Sequence, residues 1–371
     1  MDKKRFEVLD SFRGIAAICV AIGHMHYAGS IAELDFFRGS WLFVELFFVL
    51  SGFVLTHGYA FKENITFKQF AISRTFRIFP LHIAMLLVFL ALEVGKLIAV
   101  QYGLHFNSGV FSGPTAIKEI IPNLFLLQSW TEYTRESFNI PSWSLSIEYY
   151  VYMLFFVTLF LRNSARIILW LSIVSVVAYL VLHDIAFFTG SVERGLYSFF
   201  IGALTYILYK NIKNYTHKVP SFIFTFFELV CVILVAFIVT LDEENYSIIG
   251  SLLFSFTILV FSFEKGFFSH FFKHKVLAFL GKLSYSIYMT HMAIWVCTMA
   301  LFLVLQKITG FNFIPMIENV RFIDLGSVSL NNIAALVNLS LILLVSYFTY
   351  EKIEVKGQEV GKKLISKYVQ K

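Results

Sequence analysis

The sequence has 371 residues, of which 58% are hydrophobic and only 15% are charged. A soluble domain carries about 25% charged residues, so this composition excludes an ordinary soluble protein and indicates a membrane protein. The net charge of +6 does not indicate a nucleic-acid partner. Lys and Arg collect on one side of the predicted membrane, and this topology explains most of the positive charge.

Ten stretches of the chain have the length, about 20 mostly apolar residues, that a helix needs to cross a bilayer. They lie at about 7–27, 41–60, 80–100, 141–161, 167–187, 195–211, 221–240, 246–263, 283–306 and 332–351. The sequence therefore predicts an all-α integral membrane protein with about ten transmembrane helices. No repeat and no linker divides it, so we predict a single domain over residues 1–371.

The basic residues fix the predicted orientation. With the N-terminus inside, 22 of the 30 Lys and Arg residues fall in inner segments and 6 in outer segments. Cytoplasmic loops of membrane proteins carry the excess of Lys and Arg, so both termini are predicted to be cytoplasmic. The first span is expected to stay uncleaved, because Arg13 interrupts the apolar core that a signal peptide would need.

The first span carries two ionisable side chains on one face. Arg13 and His24 are eleven residues apart, which brings them within about 20° of one line along a helix and separates them by roughly 16 Å. Asp10, one turn before Arg13, is expected to pair with it. Ionisable groups inside a membrane are functional candidates. The alternative is that Arg13 reaches the lipid headgroups and His24 only packs.

A pair of arginines, Arg74 and Arg77, stands on one side of a turn just before the third predicted span. The planar guanidinium group matches the geometry of phosphate, so the pair is a candidate phosphate site. The alternative is that both residues merely contact anionic lipid at the cytoplasmic interface.

Two further ionisable residues fall within predicted spans, Glu148 in the fourth and His291 in the ninth. Either residue could act in a site or simply link helices by hydrogen bonds. We expect His291 to affect mainly folding, because its spacing links it to no second charged group. The three cysteines and the remaining histidines show no metal-ligand spacing, so no metal site is predicted.

Several blocks of this sequence, taken in order, resemble those of the acyltransferase 3 family of integral membrane acyltransferases. The blocks are Leu9 to Ala16 running on to His24, Glu45 to Phe53, Arg74 with Arg77, Trp143 to Leu145 with Glu148, and Ser284 to Tyr288 with His291. Glu45 departs from the pattern, since the family usually has Asp there. The chain resembles the standalone form, which has no esterase-like domain.

The resemblance implies O-acylation, usually O-acetylation, by a protein of the plasma membrane, in bacteria the inner membrane. Acetyl-CoA, or another acyl-CoA, would serve as the cytoplasmic co-substrate, with no permanently bound cofactor. The acceptor would be a surface polysaccharide, a glycolipid or a lipid-linked sugar.

The resemblance also assigns roles to the candidate residues. Arg74 and Arg77 would hold the phosphates of coenzyme A, with Arg13 neutralising charge a little deeper. His24 would be the general base, and Glu148 would orient its imidazole. A multi-span secondary transporter is the alternative, since intramembrane His, Glu and Arg also line transport paths.

Overall fold

The structure is a computed structural model that describes residues 5–62, 65–106, 108–130, 136–241 and 246–369. These residues are nearly all helical, which confirms the predicted all-α class. Fourteen α-helices follow one another within the described ranges. They are α1 (Glu7–Gly23), α2 (Asp35–Arg38), α3 (Phe43–Tyr59), α4 (Phe67–Gln101), α5 (Ile120–Leu124), α6 (Ser142–Thr158), α7 (Asn163–Leu182), α8 (Gly190–Ile212), α9 (Ser221–Thr240), α10 (Ser247–Ser262), α11 (Phe267–Phe272), α12 (Lys275–Thr309), α13 (Val328–Thr349) and α14 (Val355–Val369).

The connections contain a few other elements. A π-helical turn, Tyr350–Glu354, joins α13 to α14, and two short strands, β1 (Met316–Ile317) and β2 (Val320–Arg321), form an antiparallel hairpin after α12. Short 3₁₀ segments lie at Ile31–Glu33, Gly39–Leu42, Gly113–Thr115, Ile117–Glu119 and Thr216–Lys218.

Six helical segments in the described chain are long and apolar enough to cross a membrane, judged by length and composition. They are Asp35–Tyr59, Phe67–Gln101, Asn163–Leu182, Ser221–Thr240, Lys275–Thr309 and Val328–Lys367. The chain is thus rich in apolar helices of membrane-spanning length. The count of ten spans stays a prediction. Helices α1, α6 and α10 coincide with predicted spans but have only 16 or 17 residues, and α8 has 23 residues but is not among the six.

Helix α4 begins earlier than the sequence predicts. It starts at Phe67 and runs for 35 residues, so Arg74 and Arg77 lie within the helix and not on a turn before it. The expected start rested on Pro80, because proline usually interrupts a helix. Apolar helices tolerate an internal proline where neighbours support the freed backbone. The carbonyl that Pro80 leaves without an intrahelical donor is that of Phe76. Helix α12 contacts the same stretch, where the Tyr285 hydroxyl donates to the Ile78 carbonyl at 2.7 Å.

The chain divides into two compact units. Unit 1 contains Met1–Ala17, Gly39–Ala71 and Glu148–Ser284. Within it, α3 and α8 touch backbone to backbone at two glycines. A Cβ atom on Gly52 would overlap the Phe199 carbonyl oxygen, and one on Gly202 would overlap the Val49 carbonyl oxygen. Small residues allow such close approach of helices in membranes.

Unit 2 contains Ile18–Arg38, Ile72–Ile147 and Tyr285–Lys371. In this unit the C-terminal helix α14 packs on α4 through two glycines one turn apart. A Cβ atom on Gly357 would lie 2.6 Å from Pro80 Cγ, and one on Gly361 would lie 2.7 Å from Phe76 Cβ. These contacts hold α14 against the part of α4 that carries Arg77.

Candidate active site

Arg13 lies in the middle of α1 and is half-buried. The expected pair with Asp10 is wrong, because Asp10 Oδ2 binds Arg5 Nε at 2.7 Å. Arg5 precedes the first residue of α1, so it is not held at a helical spacing and its side chain reaches the carboxylate in the first turn. Among the residues that the structure describes, none forms a hydrogen bond or ion pair with Arg13.

His24 follows the last residue of α1 and is half-buried. Its Nδ1 atom lies 2.8 Å from the Val20 carbonyl oxygen. A carbonyl only accepts hydrogen bonds, so Nδ1 carries the hydrogen and donates it. In the neutral ring, Nε2 then holds the lone pair and can accept a proton.

The chain just after His24 is fixed by the region around α13. The Ile323 backbone N–H donates to the His26 carbonyl at 2.8 Å, and the Ala28 N–H donates to the Ile323 carbonyl at 3.0 Å. The Asn338 amide donates to the Tyr27 hydroxyl at 3.0 Å. These bonds anchor the backbone on the C-terminal side of His24.

The ring of His291, on α12, stands beside that of His24 with their centroids 5.1 Å apart. His291 is 1% exposed, and its Nδ1 donates to the Ile287 carbonyl at 3.2 Å. From the sequence, spacing linked His291 to no second charged group, and the structure places a second imidazole beside it. The two histidines lie far apart along the chain, so no local spacing could have linked them.

Two charged residues near His24 were also not singled out from the sequence. Arg38 Nη1 donates to the Gly23 carbonyl at 2.7 Å, and its Nη2 lies 3.7 Å from Glu33. The charges of Arg38 and Glu136 both act on His24. From the sequence, Arg38 counts only as a basic residue of an outer segment. Arg38 lies on α2, and its bond to the last residue of α1 brings a cation near the His24 imidazole.

Glu148 lies in unit 1, on α6. One of its carboxylate oxygens accepts hydrogen bonds from the Ser51 hydroxyl, at 2.5 Å, and from the Tyr152 hydroxyl. The Tyr152 hydroxyl also lies 3.1 Å from Ser51 Oγ. The carboxylate is therefore held in place by two hydroxyls. That Glu148 orients His24 stays a prediction.

The two arginines of α4 differ in their surroundings. Arg77 Nη1 lies 3.6 Å from Glu354, a carboxylate that is 1% exposed. Glu354 also accepts hydrogen bonds from Ser286 and Gln358, both at 3.2 Å. Arg77 is thus the counterion of a buried acid. Arg74 is half-buried, and its Nη2 donates to the Ser73 hydroxyl at 3.1 Å.

No cluster of three or more His, Cys, Asp or Glu side chains that could hold a metal ion is found in the described part of the chain. In unit 2, His24 presents an imidazole nitrogen that can exchange a proton, and Arg74 and Arg77 present guanidinium groups, which suit anions. Arg13 carries a further guanidinium group in unit 1.

The described chain is thus a helical protein rich in apolar segments of membrane-spanning length, with an arginine on α1 and, just after that helix, a histidine whose Nε2 makes no hydrogen bond to the described residues. The model of the family described as an acyltransferase domain matches residues 6–351. The chain therefore belongs to the acyltransferase 3 family.

Three curated proteins show local similarity. The chain is 32% identical over 137 residues to the acyltransferase MdmB of Streptomyces mycarofaciens, covering 36% of this chain and 30% of that protein. It is 41% identical over 86 residues to protein 2 in the picA locus of Rhizobium radiobacter, covering 22% and 41%. It is 25% identical over 167 residues to the peptidoglycan O-acetyltransferase OatA of Listeria monocytogenes, covering 41% and 24%. The matches thus span less than half of each relative. No solved structure matches the chain.

Proposed function

We propose that this protein is a membrane O-acyltransferase that moves an acetyl group from cytoplasmic acetyl-CoA to a hydroxyl of an extracytoplasmic glycan or glycolipid. One observation carries the proposal: within the described chain, helix α1 holds in its middle an arginine, Arg13, that makes no hydrogen bond or ion pair, and is followed by a histidine, His24, whose Nε2 makes none. A cation for the donor and a base for the acceptor then lie along one helix. The family and the names of the similar proteins support acyl transfer.

The chemistry assigned to His24 is general base and then general acid catalysis. Nε2 takes the proton of the acceptor hydroxyl while the hydroxyl oxygen bonds to the thioester carbon. The carbon–sulfur bond breaks, and the thiolate of coenzyme A receives the proton from Nε2. The reaction balances, since one thioester and one hydroxyl become one ester and one thiol. A positioned base contributes about 10² to 10⁴ in rate.

The donor is proposed to bind through its phosphates at the arginines. Arg74 lies on α4 two turns inside the start of that helix, and Arg77 follows one turn later beside Glu354. The acyl end is proposed to react at His24, and Arg13 is proposed as a further cation for the donor. The acceptor is proposed to be a surface polysaccharide, glycolipid or lipid-linked sugar, and the peptidoglycan named for the Listeria relative belongs to this class.

The proposal requires a transmembrane arrangement with ten spans, cytoplasmic termini and the plasma membrane as location. Reporter fusions in the connections test it. A fusion after Arg162, between α6 and α7, and one after His217, between α8 and α9, are expected to report the cytoplasm. A fusion after Phe187, between α7 and α8, is expected to report the outside. An outside signal at Arg162 or His217 would reverse the donor side and contradict the proposal.

Loss of the guanidinium group at Arg74 is expected to weaken coenzyme A binding. Arg74→Ala should raise the dissociation constant by an amount worth about 1.5 to 3 kcal/mol, the range for hydrogen bonds to charged groups. Arg74→Lys should restore only part of this, because an ammonium group cannot reproduce the planar fork. The measurement is calorimetric titration of the purified protein in detergent with coenzyme A.

The matched control for this prediction is Arg162→Ala, which removes an exposed arginine predicted to lie on the same side of the membrane. It should leave the affinity unchanged. Arg77→Ala is less informative, because it also strips the buried Glu354 of its counterion and should lower the stability of the fold. Equal affinities for coenzyme A in Arg74→Ala and the parent would mean that Arg74 only contacts lipid at the membrane interface.

Consumption of the thioester separates the enzyme from the alternative of a secondary transporter. Purified protein in liposomes should release free coenzyme A from acetyl-CoA only when an acceptor glycan is present, and the glycan should gain acetyl esters. A transporter would move a solute across the liposome membrane without consuming the thioester. Movement of solute with no thiol release would therefore replace the proposed function.

A further inference from the structure

One buried imidazole, that of His291, has no role in the acyl transfer proposed for His24. His291 is 1% exposed, and its Nε2 atom has no hydrogen-bond partner among the described residues. Its Nδ1 carries the hydrogen that is donated to the Ile287 carbonyl, so Nε2 of the neutral ring is an acceptor. Native structures pair nearly all buried polar atoms, and an unpaired one calls for an explanation.

The neighbour that can supply the missing partner is His24. The two ring centroids are 5.1 Å apart, whereas the Tyr288 ring lies at 6.0 Å from His291. His24 has the same internal arrangement, with Nδ1 committed to a backbone carbonyl. Two neutral rings of this kind present two acceptors to each other and have no hydrogen to share. Protonation of His24 at Nε2 would supply the hydrogen that this pair of rings lacks.

We propose that His291 is a positioning residue, which accepts a hydrogen bond from Nε2–H of His24 after His24 has taken the proton of the acceptor hydroxyl. This rests on the proposed function. His291 neither gains nor loses a proton over the cycle. It holds the protonated ring until the carbon–sulfur bond breaks, when the proton passes from His24 to the thiolate.

Other groups act on the same ring and must be separated from His291 in any test. Arg38 and Glu136 are charged residues that act on His24, and His26 is a further titratable group close to both His24 and Arg38. The His26 ring meets Trp295 and Phe322 instead of His291. His26→Phe is therefore a matched control, since it removes a half-buried histidine of the same unit.

The kinetic test uses the full chain in nanodiscs and three variants. His291→Phe removes the acceptor, and His291→Gln retains one in its side-chain carbonyl. We expect His291→Phe to lower acyl transfer by about 10- to 100-fold, the range for one hydrogen bond to a charged group. His291→Gln should recover most of this loss, and His26→Phe should show little. The acid limb of the rate against pH should move to lower pH in His291→Phe, because protonated His24 loses its partner.

Thermal unfolding and coenzyme A affinity are measured on the same samples, so that rates are compared among folded proteins. Equal losses in His291→Phe and His291→Gln with an unmoved acid limb would mean that His291 only fills space, and would overturn the inference. If both variants fail to fold, the decision passes to the spectroscopic test on the parent.

The spectroscopic test needs no acyl transfer. Nitrogen NMR of the ¹⁵N-histidine-labelled protein follows the Nε2 signals of His24 and His291. The His24 signal is the one lost in His24→Ala, the His26 signal is excluded by its loss in His26→Phe, and the His291 signal is the remaining one whose pH response disappears in His24→Ala. Lowering the pH should change both Nε2 signals together if His291 accepts the hydrogen of protonated His24. Coupled signals in a protein that transfers no acyl group would contradict the proposed function alone. Transfer with independent signals would contradict the inference alone.

Discussion

Replacing His24 by alanine is expected to lower acyl transfer by at least about 100-fold, the lower end of what a general base contributes. The physical reason is that the neutral ring, with Nδ1 bound to the Val20 carbonyl, presents Nε2 as a base that alanine cannot replace. The half-buried side chain makes no other hydrogen bond in the described chain, so the variant should insert and fold. Coenzyme A affinity should stay unchanged, because the arginines are intact.

The measurement is ester formation by purified parent and variant at equal protein concentration in detergent, with coenzyme A binding measured alongside. His183→Ala is the control, since it removes an exposed histidine at the end of α7. Transfer by His24→Ala near the parent rate would show that the base has been assigned wrongly. Glu148 would then be the next candidate, and the proton would have to leave through Ser51 or Tyr152.

Adding a methyl group at Gly52 or Gly202 is expected to destabilise the fold by at least about 1 to 3 kcal/mol, the usual cost of overfilling a packed contact. At both positions the new Cβ would meet backbone of the facing helix, and backbone cannot turn aside as a flexible side chain can. The expected result is a lower thermal midpoint and a smaller monodisperse fraction in size-exclusion chromatography for Gly52→Ala and for Gly202→Ala.

Gly95→Ala is the matched control, because it lies inside helix α4 with nothing within 4 Å of the added Cβ. There the exchange should be neutral or slightly stabilising, since alanine favours a helix by about 1 kcal/mol over glycine. The double variant at Gly52 and Gly202 should cost less than the two single costs together, because both methyl groups separate the same pair of helices. Midpoints equal to that of Gly95→Ala would mean that α3 and α8 are not in backbone contact.

Local patterns in the sequence predicted much of the fold. Apolar runs of about 20 residues mark where helices lie, because the hydrophobic requirement of a span acts on each segment separately. They do not mark where a helix continues beyond its apolar part. Helix α4 runs thirteen residues further back than its apolar run, past Pro80, because contacts with α12 and α14 support it there. Such contacts cannot be read from a single segment.

The candidate site divides in the same way. Arg13 and His24 share one helix, so their spacing was enough to relate them. The ring contact between His24 and His291, and the ion pair of Arg77 with Glu354, join distant parts of the chain. Asp10 shows a further limit, because its carboxylate binds Arg5, which lies before the helix, although Arg13 stands at the spacing of a helical pair. Sequence spacing shows which residues can be neighbours on a helix, and tertiary packing determines which contacts form.

The π-helical turn between α13 and α14 sets the rotational phase of the C-terminal part of unit 2. A π turn amounts to one residue inserted into an α-helix, and one residue rotates everything beyond it by about 100°. Before the turn, Asn338 faces Tyr27, next to the candidate base region. After it, Gly357 and Gly361 face α4. Deleting one residue from Tyr350–Glu354 would keep the helix continuous. It would also rotate the face with Gly357 and Gly361 by about 100° relative to the face with Asn338. The widened turn therefore lets one continuous helical segment present Asn338 to Tyr27 and its two glycines to α4.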